Sequence, residues 1–303
     1  MDSPLTRLAR AAAALAILAA AGLGASATTG PLAATDDRRP AASGARAPAA
    51  GAPVTVERGL RYGRSRAMVL DVYRPQRSRV RTTPAVLVVH GGGWRFGDKS
   101  RMTAVASALA QAGLVAVNVN YSLAAWWRPG YPRQLRELRG AVRWIRRNAD
   151  RLGVDRSRVG ALGSSAGGHL AALLGVQADG RLGAGHRVGA VVTWSAPLDL
   201  TRPGDVRLAP AVEAFLGCPA AACPGRGDAA SPTSHASRDD SPMLVFNSAE
   251  ELVPVEQAER MAARLSEAGV RHGLVVLPGS RHATAYTSDV LGPSIEFLRR
   301  RLH

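Results

Sequence analysis

The feature that most constrains the fold is a serine set among glycines in the segment "GSSAG" at 163–167. Ser165, not Ser164, stands at the centre of the resulting G-x-S-x-G pattern. Such a pattern favours a sharp turn from a strand into a helix, because small neighbours leave room for a strained backbone at the central serine. Taken alone, the pattern is equally typical of a structural glycine turn.

The flanking segments favour the strand-to-helix interpretation. The apolar run "RVGALG" at 158–163 is typical of a short buried strand. The following "AGGHLAALLG" at 166–175 is rich in Ala and Leu and ends in a glycine, as a packed helix does. We therefore predict that Ser165 lies at an exposed turn, where it could act as a nucleophile.

Strand-like and helix-like segments alternate along the rest of the chain, which predicts an α/β fold with a mostly parallel central sheet and helices on both faces. The strand-like segments are 67–75, 84–94, 114–121, 158–163, 188–197, 242–248 and 273–280. The helix-like segments are 101–113, 133–151, 166–175, 255–269 and 294–302. We expect the long irregular insertion at about 199–240 to form a small lid.

The first 27 residues have the pattern of a secretory signal peptide. Two arginines, Arg7 and Arg10, precede an apolar stretch at 11–23, and the small-x-small sequence "ASA" at 25–27 resembles a cleavage site. The apolar stretch is short for a membrane anchor, which needs about 20 residues. We therefore expect an exported protein, either secreted or associated with the cell envelope.

Residues 28–53 are rich in Ala, Pro, Gly and Ser and lack periodicity, which predicts a flexible linker ahead of a folded domain at 54–303. The only cysteines, Cys218 and Cys223, lie five residues apart. An exported protein can keep a disulfide, and we expect these two to be joined. Zinc binding is disfavoured because no further ligands cluster with them.

The net charge of +16 comes almost wholly from arginine, since Lys99 is the only lysine. A nucleic-acid binder usually clusters such charge with aromatic residues on one element, whereas these arginines are scattered. In the densest run, 133–151, the apolar residues recur at helical spacing, which predicts arginines on a solvated face. These apolar residues are Leu135, Leu138, Val142 and Ile145. We expect no nucleic-acid partner, although the charge is compatible with loose association with an anionic cell envelope. No pattern defines an oligomeric state.

A nucleophilic serine needs backbone donors for a developing oxyanion, and "HGGGW" at 90–94 offers three glycines at the end of a buried strand. A phosphate-binding or merely flexible loop would have similar glycines. The G-x-G-x-x-G and G-K-S/T patterns of nucleotide sites are absent from the sequence, which weakens the phosphate interpretation.

The general base is expected late in the chain, after the acid. His282 lies in the loop "PGSRHAT" that follows a strand, and we favour it over His272, which opens that strand, and over the terminal His303. We expect His90 to order the glycine loop and His169 to pack or bond locally.

The acid is expected in the loop "AEELVPVEQ" after the strand at 242–248. Either Glu250 or Glu251 could orient and stabilise the imidazole of His282. The residues themselves leave this choice open.

Four motifs occur in order: "LDVYRP", "HGGGW", "GALGSSAGGHLAALL" and "ELVPVEQAERMAARL". Together they resemble the α/β-hydrolase superfamily, specifically the carboxylesterases of the hormone-sensitive-lipase and feruloyl-esterase-like branch, over nearly everything from Val54 onwards. The resemblance implies Glu250 as the acid, because the family places it four residues before a proline. The family usually has aspartate there. The resemblance also implies an oxyanion hole formed by Gly92, Gly93 and Ala166.

We therefore expect hydrolysis of a small-molecule ester by Ser165, His282 and Glu250 through an acyl-enzyme, without a metal or cofactor. An amide-directed hydrolase of the prolyl-peptidase or arylformamidase kind would use the same residues. A non-catalytic binding protein on this fold is a third reading.

For substrate binding we expect Trp94, Trp126 and Trp127 to line the pocket. Simple packing of a lid is the alternative for the tryptophan pair. The resemblance places Asp199 beside the lid rather than in the triad.

Overall fold

The computed structural model describes residues 53–76, 82–177, 181–205 and 207–303. The expected signal peptide, and the expected linker up to residue 52, lie outside this part of the chain. Among the described residues, no helix is both long enough and apolar enough to cross a bilayer.

A single eight-stranded sheet runs through the described domain. Its strands are β1 (Val54–Arg61), β2 (Val69–Pro75), β3 (Thr83–Val89), β4 (Val115–Val119), β5 (Val154–Ser164), β6 (Val191–Trp194), β7 (Met243–Ser248) and β8 (His272–Leu277). The strand order is β1-β2-β4-β3-β5-β6-β7-β8. β1 pairs antiparallel with β2, and β2 pairs antiparallel with β4. The remaining neighbours in this order, from β4 to β8, pair parallel. The predicted mostly parallel sheet is confirmed.

Helices cover both faces of this sheet. They are α1 (Thr103–Gln111), α2 (Arg133–Arg147), α3 (Ala149–Leu152), α4 (Ala166–Val176), α5 (Ala209–Leu216), α6 (Pro224–Ala230), α7 (Val255–Glu267) and α8 (Thr287–Arg301). Apolar residues of α1 and α8 form the core on one face, and those of α2, α4 and α7 form the core on the other. Burial on both faces explains why β3 and β4 are mostly apolar and do not alternate with polar residues.

Strand β1 was not predicted. It lies at the edge of the sheet, where one side has no neighbour and side chains are half-exposed. Its sequence "VTVERGLR" loses the apolar alternation at Glu57, where the pairing with β2 shifts register before Leu60. Such an irregularity removes the period-two signal that identifies a strand.

Helix α2 confirms the predicted amphipathic pattern, because its four apolar residues are all buried. Arg146 is the exception to the expected solvated arginine face. This residue is only 5% exposed, and its guanidinium donates to the backbone carbonyls of four residues, one at the start of β5 and three in the segment before β6. These are Arg156, Ala184, Gly185 and Arg187. Burial lowers the pKa of Arg146 to about 10.

We predict that Arg146→Met destabilises the fold by about 2 kcal/mol, because buried carbonyls lose their donor. Denaturant unfolding measures this change. Arg143→Met is the matched control, since Arg143 lies on the exposed face of the same helix and its loss should change stability by less than about 0.5 kcal/mol. Equal effects of the two substitutions would contradict the role assigned to Arg146.

The insertion between β6 and β7 carries α5 and α6. The expected disulfide between Cys218 and Cys223 is present and joins the segment between these two helices. Phe215, on α5, stacks on Trp94 with ring centroids 4.7 Å apart. The insertion is therefore packed against the glycine loop that follows β3.

Candidate active site

Ser165 occupies the turn between β5, which ends at Ser164, and α4, which begins at Ala166. Its backbone has φ 53° and ψ −122°, a strained combination for a residue with a side chain. A Cβ on Gly163 would stand 2.1 Å from the carbonyl oxygen of Gly167, and a Cβ on Gly167 would stand 2.3 Å from that of Val89. Only glycine fits at either position, so the predicted strand-turn-helix arrangement is confirmed.

The two adjacent serines differ in accessibility. Ser164 is 2% exposed, whereas Ser165 is partly exposed, and its side chain makes the contact expected of a nucleophile. The Ser165 Oγ atom lies 3.0 Å from Nε2 of His282. The structure therefore brings together the predicted nucleophile and the predicted base.

Nδ1 of His282 bonds to Oε2 of Glu251. A carboxylate only accepts, so Nδ1 carries the hydrogen and Nε2 is left to accept the proton of Ser165. The imidazole is thus held in the tautomer that a general base requires. The Glu251 side chain is fully buried, and that of His282 is 29% exposed.

The assignment of the acid to Glu250 was wrong. Ala249 and Glu250 form the exposed turn after β7, and their backbone amides continue the pairing toward β8 by donating to Leu277 and Gly279. The chain turns inward one residue later, at Glu251. Counting back from Pro254, as the family resemblance suggested, misplaces the acid by one residue because it ignores the geometry of this turn.

Glu251 is held by a network that sequence reasoning did not detect. Its Oε1 accepts from the Ser195 hydroxyl at 2.7 Å and from the Ser248 amide at 2.9 Å. Ser195 Oγ in turn lies 2.7 Å from the amide of Ala283, the residue after His282, and 2.7 Å from the Tyr286 hydroxyl. Burial raises the pKa of Tyr286, which keeps that hydroxyl protonated as a donor.

Ser195 thus links Glu251 by hydrogen bonds to the histidine loop, the segment 278–283 that follows β8 and carries His282. One feature of the sequence could have indicated this role for Ser195: it comes directly after β6. Because the carboxyl ends of parallel strands meet at one edge of a sheet, this position lies at the same edge as Ser165.

We predict that Glu251→Gln lowers kcat by about 10⁴-fold while the fold is kept, the size seen when the triad acid of a serine protease loses its charge. Glu250→Gln is the matched control, and turnover should stay within about twofold because that side chain is exposed. Steady-state ester hydrolysis measures both. A crippled Glu250→Gln beside an active Glu251→Gln would refute this assignment.

The glycine loop after β3, residues 90–94, lies directly against the turn from β5 into α4 at Ser165, which we call the elbow. A Cβ on Gly91 would stand 2.7 Å from the Ser164 carbonyl oxygen and 3.1 Å from Cβ of Ser165. Gly92 has φ 122° and Gly93 has φ 56°, values that favour glycine. Ala166 is the first residue of α4, where helix geometry leaves the amide without an intrahelical acceptor. The three residues expected to stabilise an oxyanion therefore share one pocket with Ser165 and His282.

His90 anchors this loop, as expected. Its Nδ1 bonds to the Gly91 carbonyl at 2.8 Å, and its ring stacks on Tyr121 at 4.4 Å. Burial lowers the pKa of His90, which favours the neutral ring.

The pocket beside Ser165 has a volume of about 320 Å³. Its apolar wall comes from four elements and includes Met102, Pro197, Leu208, Ala211 and Leu252. Within the described part of the chain, no His, Cys, Asp or Glu side chains are grouped as metal ligands would be.

Of the three tryptophans expected to line the pocket, one does so and two do not. Trp94 belongs to the pocket wall, but it is 1% exposed and its ring is covered by Phe215, so it supports the wall from behind. Trp126 and Trp127 are 81% and 69% exposed and do not line the described pocket. They pack edge to face on each other instead.

His169 lies beneath the pocket and links the glycine loop to the insertion. Its Nδ1 accepts from Trp94 Nε1 at 3.2 Å, and its Nε2 donates to the Ala230 carbonyl at 2.7 Å. Burial lowers the pKa of His169 to about 4, against the opposing effect of the Ala230 bond. The ring is therefore neutral at neutral pH, and the expectation of a locally bonded histidine is confirmed.

His169 should make the fold sensitive to acid. The folded-state pKa lies below the unfolded value, so the unfolded chain binds more protons and stability falls as the pH drops below about 6.5. Between about pH 7.5 and pH 5, protonation of this one group in the unfolded chain should lower the free energy of unfolding by about 2 kcal/mol. We predict that the acid-induced loss of unfolding free energy is smaller by that amount in His169→Gln. The same loss in both proteins would contradict the prediction.

Comparison with known proteins agrees with this geometry. The model of the BD-FAE family matches residues 70–265, a segment that contains the glycine loop, Ser165 and Glu251. Esterase LipC of Mycobacterium tuberculosis is 31% identical over 242 residues, which cover 74% of this chain and 59% of LipC. The chain thus spans less than two thirds of the length of this relative.

Solved structures share the fold. A truncated carbohydrate esterase from gut microbiota superposes with a TM-score of 0.73 at 22% identity, over 85% of this chain and 99% of that one. The propionate-bound esterase Est2 of Thermogutta terrifontis has a TM-score of 0.65 at 25% identity, over 83% of this chain and 94% of that one. The architecture is therefore the α/β-hydrolase fold.

Proposed function

Because the chain belongs to the BD-FAE family, we propose that it is a serine hydrolase that cleaves carboxylic esters with Ser165, His282 and Glu251. The observation that carries the proposal is the continuous chain of hydrogen bonds from Ser165 Oγ through His282 to the buried Glu251 carboxylate. The esterase names of the relatives support it.

The first half of the reaction forms an acyl-enzyme. Ser165 Oγ attacks the ester carbonyl carbon while His282 Nε2 takes its proton. The amides of Gly92, Gly93 and Ala166 stabilise the negative charge on the former carbonyl oxygen. The tetrahedral intermediate collapses, and the alcohol leaves with the proton from His282.

The second half releases the acid. A water molecule gives a proton to His282 and attacks the acyl carbon. The second tetrahedral intermediate then collapses: the bond from the acyl carbon to Ser165 Oγ breaks, His282 returns the proton to Ser165 Oγ, and the carboxylic acid departs. The buried Glu251 carboxylate stabilises the imidazolium in both halves. The net reaction is ester plus water to acid plus alcohol, with no change of oxidation state.

We predict that Ser165→Ala abolishes hydrolysis of para-nitrophenyl acetate, whereas Ser164→Ala keeps most of it, because only Ser165 lies within reach of His282. Release of para-nitrophenol measures both, and circular dichroism checks the fold. Equal losses in two folded variants would contradict the choice of nucleophile.

The amide counterpart, para-nitroacetanilide, belongs in the same assay. An amide-directed hydrolase would use the same three residues, and turnover of the anilide above that of the ester would replace the ester proposal. If neither compound is hydrolysed, both the ester and the amide proposals are contradicted, and a binding protein without activity is indicated.

We also propose that the protein is exported. The pattern at 1–27 supports this proposal, and so does the disulfide between Cys218 and Cys223, since disulfides persist in oxidising compartments.

A further inference from the structure

Two arginines belong to the wall of the pocket beside Ser165, Arg101 from one side and Arg207 from another. The described residues that line this pocket include no aspartate and no glutamate. The charged side chains that line this pocket are therefore both cationic.

Arg207 is already neutralised by its neighbour. Its guanidinium donates to Oδ2 of Asp205 at 2.6 Å and 2.9 Å and to Oδ1 of Asp205 at 3.1 Å. This pair is exposed to solvent, and it leaves little charge to offer a ligand.

Arg101 has no such neighbour. It lies in the turn Lys99–Met102, and within the described part of the chain no carboxylate forms an ion pair with it. The nearest acid along the chain, Asp98, accepts instead from the Ser100 amide at 2.6 Å. The lysine of the turn, Lys99, is paired with Asp71 at 2.7 Å. Arg101 is thus the cation of this turn that remains available.

The glycine loop holds Arg101 close to the reacting groups. A Cβ on Gly97, whose φ is 87°, would stand 3.1 Å from Nε of Arg101 and 2.9 Å from the carbonyl oxygen of Gly91. Glycine at this position therefore leaves room for the arginine to lie over the loop. Gly91 in turn approaches Ser165, so the loop that contacts Arg101 also contacts the nucleophile, and both residues line the same pocket.

Much of the remaining pocket wall is apolar. Met102 follows Arg101 directly, and Leu208 and Leu252 contribute from the insertion and from the loop after β7. A ligand that matches such a wall has an apolar body and one anionic group. A carboxylate fits the guanidinium best, because its two oxygens match two parallel N–H donors.

We propose that the substrate is an ester that carries a free carboxylate, and that Arg101 binds this carboxylate while Ser165 attacks the ester carbonyl. The inference rests on the proposed ester hydrolysis and narrows its substrate class. Arg101 is assigned to specificity and takes no part in the proton transfers.

Two matched pairs of probes test the proposal. For a carboxylate on the alcohol side, para-acetoxybenzoate is compared with para-acetoxybenzamide. For a carboxylate on the acyl side, the mono-para-nitrophenyl ester of terephthalic acid is compared with para-nitrophenyl para-carbamoylbenzoate. Within each pair the shape is nearly constant and the charge differs. The quantity measured is the ratio of kcat/KM for the anionic member to kcat/KM for the neutral member.

In Arg101→Gln, this ratio should fall about tenfold for at least one pair, a size typical of a charge-assisted hydrogen bond in a partly exposed site. Because the ratio is taken within one variant, a loss common to both members of a pair does not change it. Arg101→Lys should restore part of the ratio, because a point charge remains without the planar fork. The wild-type ratio should also decline as salt is raised.

Arg143→Gln is the control for net charge, since it removes one exposed arginine on α2, outside the pocket. It should leave both ratios unchanged.

Two results with Arg101→Gln would overturn the inference. One is an unchanged ratio for both pairs, and the other is an equal loss for anionic and neutral esters, which would indicate a structural role. If neutral esters are hydrolysed in a Ser165-dependent manner, the proposed function survives either result. Failure of the wild type to hydrolyse any ester would overturn both proposals.

Discussion

The site depends on one steric constraint, the close approach of backbone segments around Ser165. Gly163 and Gly167 lie so near to other carbonyl oxygens that any side chain would collide with them. Gly91 meets the same elbow from the loop that follows the adjacent strand β3. This contact places the amides of the glycine loop beside the serine. The parallel order of β3, β5, β6 and β7 then brings the remaining groups to the same edge of the sheet.

Backbone strain concentrates at this edge. In the described part of the chain, the non-glycine residues with positive φ are Trp94, Ser165, Ser195 and Ala283. Each belongs to the glycine loop, the elbow or the network that joins Glu251 to the histidine loop. Such conformations cost about 1–3 kcal/mol each and persist only where surrounding contacts enforce them. The buried bonds of Glu251 to Ser195 and Ser248 provide part of that enforcement, and they fix the carboxylate that orients His282.

Much of this arrangement could be predicted from local patterns. The elbow, the buried strands and the amphipathic helix α2 each follow from spacing that a short window of sequence contains. The identity of the acid does not, because Glu250 and Glu251 differ only in which way a turn after β7 directs them. Ser195 and Arg101 were missed for a related reason: their partners lie far away in sequence or outside the protein. The exposed pair Trp126 and Trp127 shows the reverse error, since aromatic composition alone does not reveal which surface a loop faces.

The central claim, that Ser165 forms a covalent intermediate, is tested most directly by labelling with a fluorophosphonate. Such a reagent transfers its phosphonyl group to an activated serine and stays attached, in place of the acyl group of an ester. We expect one phosphonyl group per chain, located on Ser165 by fragmentation of the peptide, with esterase activity lost in proportion to labelling. Labelling of Ser164 or of another residue, or full activity in completely labelled protein, would contradict it.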